Sequence, residues 1–159
     1  MKIRRILTWL AATAATTALI LFGASPASAT VYWQTYSTNS NWHCGPTTKT
    51  PLSNYVVFQT CIVVTPDKTK GQAVLIVTNS STKDVILRQG EVHSDELYGV
   101  NGYSTCTYDY TLSSGQSRAC FGPTVAFSTC GDGYAWGVLH ANSFDYAMGT
   151  ETVRFVTTC

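Results

Sequence analysis

The sequence predicts an all-β fold: an antiparallel β-sandwich of about seven strands, disulfide-stabilised, behind a cleaved signal peptide. Three observations predict it. Six cysteines (Cys44, Cys61, Cys106, Cys120, Cys130 and Cys159) all lie downstream of an export-type segment. From residue 55 onward, short runs rich in β-branched and aromatic residues alternate with Gly, Pro, Asn and Ser turns. Nothing after residue 29 sustains a helical period, so the crossover helices of a parallel sheet have no counterpart here. A small barrel is the alternative closure of the same strands.

The N-terminus reads in three parts. Lys2, Arg4 and Arg5 form a basic n-region, and residues 6–22 an apolar stretch. Gly23 and Pro26 then break it before the small residues Ala27-Ser28-Ala29. The stretch is diluted by Thr8, Thr13, Thr16 and Thr17, and is shorter than the ~20 residues a spanning helix needs. Cleavage after Ala29 is expected, with no stable membrane anchor left and a secreted product. Arg4-Arg5 leaves Sec and twin-arginine export both open. The segment resembles bacterial secretion signals of the actinobacterial type.

Taking 29 residues from 159 leaves 130, with seven Lys/Arg against nine Asp/Glu. That length suits one domain with a real core. The slight negative charge and the lack of a basic patch exclude nucleic acid as a partner.

Residues 30–54 read as an aromatic-rich N-terminal arm or a first edge strand. Tyr32, Trp33, Tyr36 and Trp42 stand there among Thr, Ser and Asn, with Pro46 and Pro51. Residues 55–159 form the sandwich. Residues 55–65 are a β-branched strand holding Cys61, and 66–71 a turn. Residues 72–78 read as a buried strand, apolar on both faces. Residues 79–83 turn, and 85–93 form the next strand. Residues 91–102 are polar and predict a loop. Residues 105–112 alternate, placing Cys106, Tyr108, Tyr110 and Leu112 on one face. Ser113-Ser114-Gly115-Gln116 predicts a hairpin returning through 117–121. Strands are expected at 124–129, 134–140 and 150–156. Tyr134, Trp136, Val138 and His140 share a face of the second of these, and Trp136 is expected in the core. Val153 and Phe155 are expected to point inward.

Exported thiols oxidise, so the six cysteines predict three disulfides from fifteen pairings. Cys106–Cys120, flanking the 113–116 turn, is the best local pair. Cys44–Cys61 would tie the arm to the first sandwich strand, leaving Cys130–Cys159.

The order of QAVLIVTNSS (72–81), a strand, and TLSSGQSRAC (111–120) is similar to bacterial secreted immunoglobulin-like domains. The likeness is one of pattern across residues 55–155. It implies a sandwich scaffold and no particular activity.

Asn41-Trp42-His43-Cys44-Gly45 is similar to the His-Cys pair of trypsin-like proteases. That chemistry also needs a serine in a Gly-rich turn, and Gly131-Asp132-Gly133 holds none. Glu91, His93, Asp95 and Glu96 are the densest titratable cluster, read as a solvated acidic loop rather than a cation site. His140 reads as a partly buried structural histidine. The histidines lack zinc-like spacing, and no C-x-x-C pair occurs. No catalytic residue, metal or cofactor is therefore expected. Tyr98 and Tyr103 join the arm aromatics as binding candidates, with Trp33, Tyr36 and Trp42 the specific expectation. The function expected is non-catalytic binding of a protein or glycan partner outside the cell. The rivals are a secreted inhibitor of extracellular enzymes and, remotely, a hydrolase.

Overall fold

A computed structural model describes residues 32–51, 53–95, 102–126, 132–143, 147–150 and 152–156. The expected signal segment, Cys130, Cys159, Glu96 and Tyr98 lie outside them, as do the side chains of Asp95 and Tyr103. The described residues form eleven strand segments: β1 Trp42–Cys44, β2 Thr48–Thr50, β3 Ser53–Val64, β4 Lys70–Asn79, β5 Val85–Asp95, β6 Gly102–Cys106, β7 Tyr110–Leu112, β8 Ser117–Ala126, β9 Asp132–Ala141, β10 Ala147–Gly149 and β11 Val153–Val156. All pairings are antiparallel. The first sheet runs β1-β3-β4-β8, with β2 also on β3. The second runs β10-β9-β5-β6, with β11 on β9 and β7 on β5. Three edge positions are thus each filled by two short segments.

The inner faces follow period-two alternation. Phe58 and Ile62 of β3, Leu75 and Val77 of β4, Leu87 and Val92 of β5, Leu112 of β7 and Leu139 of β9 are buried in one cluster. β4 is apolar on both faces for a reason. Val74 and Ile76 point outward beneath Tyr36, Trp42, Val63 and Phe121. β5 changes parity at a bulge between Leu87 and Gln89. Leu87 faces inward and so does Gly90, which leaves Arg88 re-aimed at the bulge.

Four expectations change. Residues 91–95 continue β5 instead of forming a loop, because each pairs with β9 and all but Asp95 also with β6. The 113–116 turn is not a hairpin: β7 pairs with β5 while β8 pairs with β4, so the turn carries the chain between sheets. No boundary falls at 54/55, since β3 crosses it and β1 and β2 belong to the first sheet. Trp136 lies on the outer face of β9. The inner face is Gly133, Ala135, Gly137, Leu139 and Ala141. Small residues belong there because the sheets approach closely: a Cβ on Gly137 would stand 2.9 Å from Thr60 Oγ1.

Both long seams of the sandwich are fastened. On one, Cys106 of β6 joins Cys120 of β8 across the sheets, with Cα atoms 5.8 Å apart. On the other, the Thr60 and Thr150 hydroxyls meet at 2.8 Å, and Gly137 N–H donates to Thr150 Oγ1. Cys44–Cys61 lies within the first sheet, where the two residues pair directly across β1 and β3. Two disulfides suit an oxidising compartment. Asn79, fully buried, clamps two turns. Its Nδ2 donates to Lys83 O and Leu112 O, and its Oδ1 accepts from Ser81 N–H and Oγ. Its backbone N–H and carbonyl hold Gln116 and Gly115. Gly115 takes φ +76°, the left-handed conformation glycine adopts without cost.

Candidate functional site

The arm wraps the β8 edge. Gln34 exchanges both backbone hydrogen bonds with Ala119. On one side of that bridge Trp33 enters the core, 7% exposed, against Gly90 and beside the Cys106–Cys120 bridge. On the other, Tyr36 covers the outer face of the first sheet with Trp42, their ring centroids 5.7 Å apart, and Trp42 meets Phe121 edge-on at 6.2 Å. Trp33 therefore has no face to offer a partner, which corrects its place among the binding candidates. The cause is Gly90: where β5 lacks a side chain, an indole fills the space. Tyr36 and Trp42 are half-buried and cover Val74 and Ile76.

The arm aromatic left outside is Tyr32. Its ring stacks on Tyr108, with centroids 4.4 Å apart and planes 18° from parallel. Both are more than half exposed, at 55% and 53%. Tyr108 stands in the break between β6 and β7, two residues from the inter-sheet cystine. Alternation placed it with Cys106 and Leu112. The break at 107–109 lets it turn out instead. Next to it Asp109 pairs with Arg88, the residue re-aimed by the β5 bulge. Arg118 of β8 lies over the Tyr110 ring, 4.8 Å from its centroid. The seam thus presents two stacked phenols next to the Arg88–Asp109 pair, with Arg118 over Tyr110 two residues further on. A hydrogen bond to Tyr108 holds the Tyr32 hydroxyl above its ordinary pKa of 10.0, with the charge Tyr108 would carry as a second cause.

The outer face of the second sheet brings Glu91 and His93 of the expected titratable cluster together with His140. Cross-strand register sets His93 against Trp136 and Gln89 against His140. His93 and Trp136 stack at 3.7 Å, 4° from parallel. Glu91 lies between the histidines, 3.4 Å from His93 Nε2 and 3.7 Å from His140 Nε2, and accepts from Gln89 Nε2 at 2.8 Å. The three are partly buried rather than a solvated loop. Among the described residues, no three His, Cys, Asp or Glu side chains are placed to hold a metal ion. His43 packs against Phe155, ring centroids 4.7 Å apart, which gives it a structural contact between β1 and β11.

Tyr32 was legible as a surface aromatic. Tyr108, Arg88 and Arg118 were not, because a strand break and a bulge aim the first two and only the fold sets Arg118 over Tyr110. No family model and no curated protein matches the chain. One solved structure, described as a protein from Archaeoglobus fulgidus, is similar over 64% of this chain and 96% of its own, with 8% identity and a TM-score of 0.36.

Proposed function

We propose that this chain is a secreted, non-catalytic binding module of immunoglobulin-like build. Its Tyr32–Tyr108 seam recognises a protein partner outside the cell. The observation that carries the reading is the stacked, exposed tyrosine pair, with the Arg88–Asp109 pair next to it in sequence. Tyr and Arg are the residues enriched where proteins meet, because each offers a large flat surface and a polar tip. The pair also rests on a seam fixed by a buried cystine and by Trp33, so little freedom is lost on binding. Bacterial origin and secretion remain expectations of the N-terminal segment, and the two disulfides are consistent with secretion.

Affinity capture from culture medium and cell-wall extract tests the proposal. Wild type should retain a partner, and Tyr108→Ala should lose at least about tenfold in affinity for it, about 1.4 kcal/mol, with an unchanged melting temperature. Retention of that partner by Tyr108→Ala and Tyr32→Ala at wild-type affinity sinks the reading.

A further inference from the structure

A second concavity shares no residue with the seam. It lies where the start of β3, the 80–84 turn and Asn142 converge, and its volume is about 520 Å³. Small-ligand sites run to roughly 300–1,000 Å³. Val56 and Val85, both buried, line its floor. Tyr55 lines it as well, 66% exposed. Thr82, Lys83, Asp84 and Asn142 complete the rim, all exposed.

We infer that this cleft binds a neutral saccharide, with the Tyr55 ring against a sugar face and the rim residues on its hydroxyls. Four observations carry the argument. The first is charge. Lys83 and Asp84 stand side by side, and among the described residues neither is in an ion pair. One cation and one anion cancel, so the cleft selects neither an acidic nor a basic ligand. The second is hydrogen-bonding capacity. The ammonium donates, the carboxylate accepts, and the Thr82 hydroxyl and Asn142 amide do both, which suits a ligand whose hydroxyls also do both. The third is the exposed aromatic face on one wall, able to take the apolar C–H face of a pyranose.

The fourth is rigidity without ligand. Asn79 clamps the turn through Lys83 O and Ser81, and Ser80 N–H donates to Tyr55 O. Asn142, at φ 58°, is fixed by accepting the Ile86 N–H on its side-chain oxygen. Hydrogen bonds within the protein have already ordered the rim backbone and the Asn142 side chain, so binding does not have to.

The test is a titration of the purified protein with cellotetraose, chitotetraose, maltotetraose and, as the acidic counterpart, trigalacturonate, followed by backbone amide NMR. At least one neutral tetrasaccharide should give saturable shifts confined to residues around 53–56, 80–85 and 142. Tyr55→Ala should weaken that binding by at least about tenfold. Asp84→Asn, which removes charge and one acceptor but little volume, should weaken it too. Tyr108→Ala should leave it unchanged, which separates this site from the seam. Absence of saturable shifts with all three neutral sugars overturns the inference. So does equal affinity in Tyr55→Ala, or tighter binding of trigalacturonate.

Discussion

Two side chains carry charge behaviour that a titration can read. Tyr32 is held above its ordinary pKa of 10.0 by Tyr108, so its phenolate should form at higher pH than an ordinary tyrosine's. Ultraviolet titration of wild type against Tyr32→Phe should show Tyr32 ionising late, and Tyr108→Phe should bring it back toward the ordinary value. An unchanged profile in that variant would mean the two hydroxyls do not meet in solution. Asp67, in the turn between β3 and β4, is depressed to about 2 by hydrogen bonds from the Thr65 and Thr69 hydroxyls and the Thr69 N–H. The folded value lies below the unfolded one. Its support of the turn is therefore complete above the ordinary value of 3.8 and lost as pH falls through about 2. Carboxyl-carbon NMR should find Asp67 titrating at about 2. In Thr65→Val with Thr69→Val it should return toward 3.8. At this scale the sequence revealed face-sharing well and orientation poorly. Tyr134, Trp136, Val138 and His140 do share a face of β9. Alternation alone does not say which face turns in, and the small residues Ala135 and Gly137 were the signal that the other one does.

Among elements, the arm and β5 are coupled through one glycine. A Cβ on Gly90 would meet the Trp33 indole carbons at 2.6 and 2.9 Å, so the two positions should not behave independently. Gly90→Ala should cost about 1–3 kcal/mol by overpacking. Trp33→Phe should itself destabilise by opening a cavity, partly offset because the indole N–H finds no partner among the described residues. In the Trp33→Phe background the penalty of Gly90→Ala should shrink, since the ring atoms it strikes are gone. Urea unfolding of the four proteins measures this, and simple additivity would show that the indole does not occupy the Gly90 gap. The strands themselves were largely readable. β3, β4, β5 and β9 stand near where β-branched runs and turns placed them. What escaped was the function of the turns. Ser113–Gln116 bends the chain as its composition requires, yet a bend does not state whether the next strand returns to the same sheet.

For the whole molecule, the two described disulfides should have different consequences. Cys106–Cys120 joins the sheets next to Trp33, whereas Cys44–Cys61 joins neighbours already paired in one sheet. Replacing either pair by alanine should cost about 2–4 kcal/mol, since the closed loops are of similar length. Only loss of Cys106–Cys120 should also loosen the seam, shift tryptophan emission to the red and weaken partner capture. If loss of Cys44–Cys61 has the same spectral effect, the seam is held chiefly by something other than its cystine. Spacing left fifteen pairings open, and the two expected local pairs, Cys44–Cys61 and Cys106–Cys120, are both present. That one bridge crosses the sandwich was not readable, because crossing depends on strand order.

The Asn79 clamp has a consequence for anyone making this protein. Asn79-Ser80-Ser81 spells an acceptor for N-linked glycan, a modification suited to surface loops. Here the acceptor amide is fully buried, and both of its hydrogens are committed to the Lys83 and Leu112 carbonyls. Oligosaccharyl transfer acts on chains that have not yet folded, replaces one of those hydrogens and adds bulk where the core has no room. In a yeast or mammalian secretory pathway, sugar-bearing and correctly folded molecules should form two separate populations. The oxidising periplasm of a bacterium that lacks the transferase should yield one.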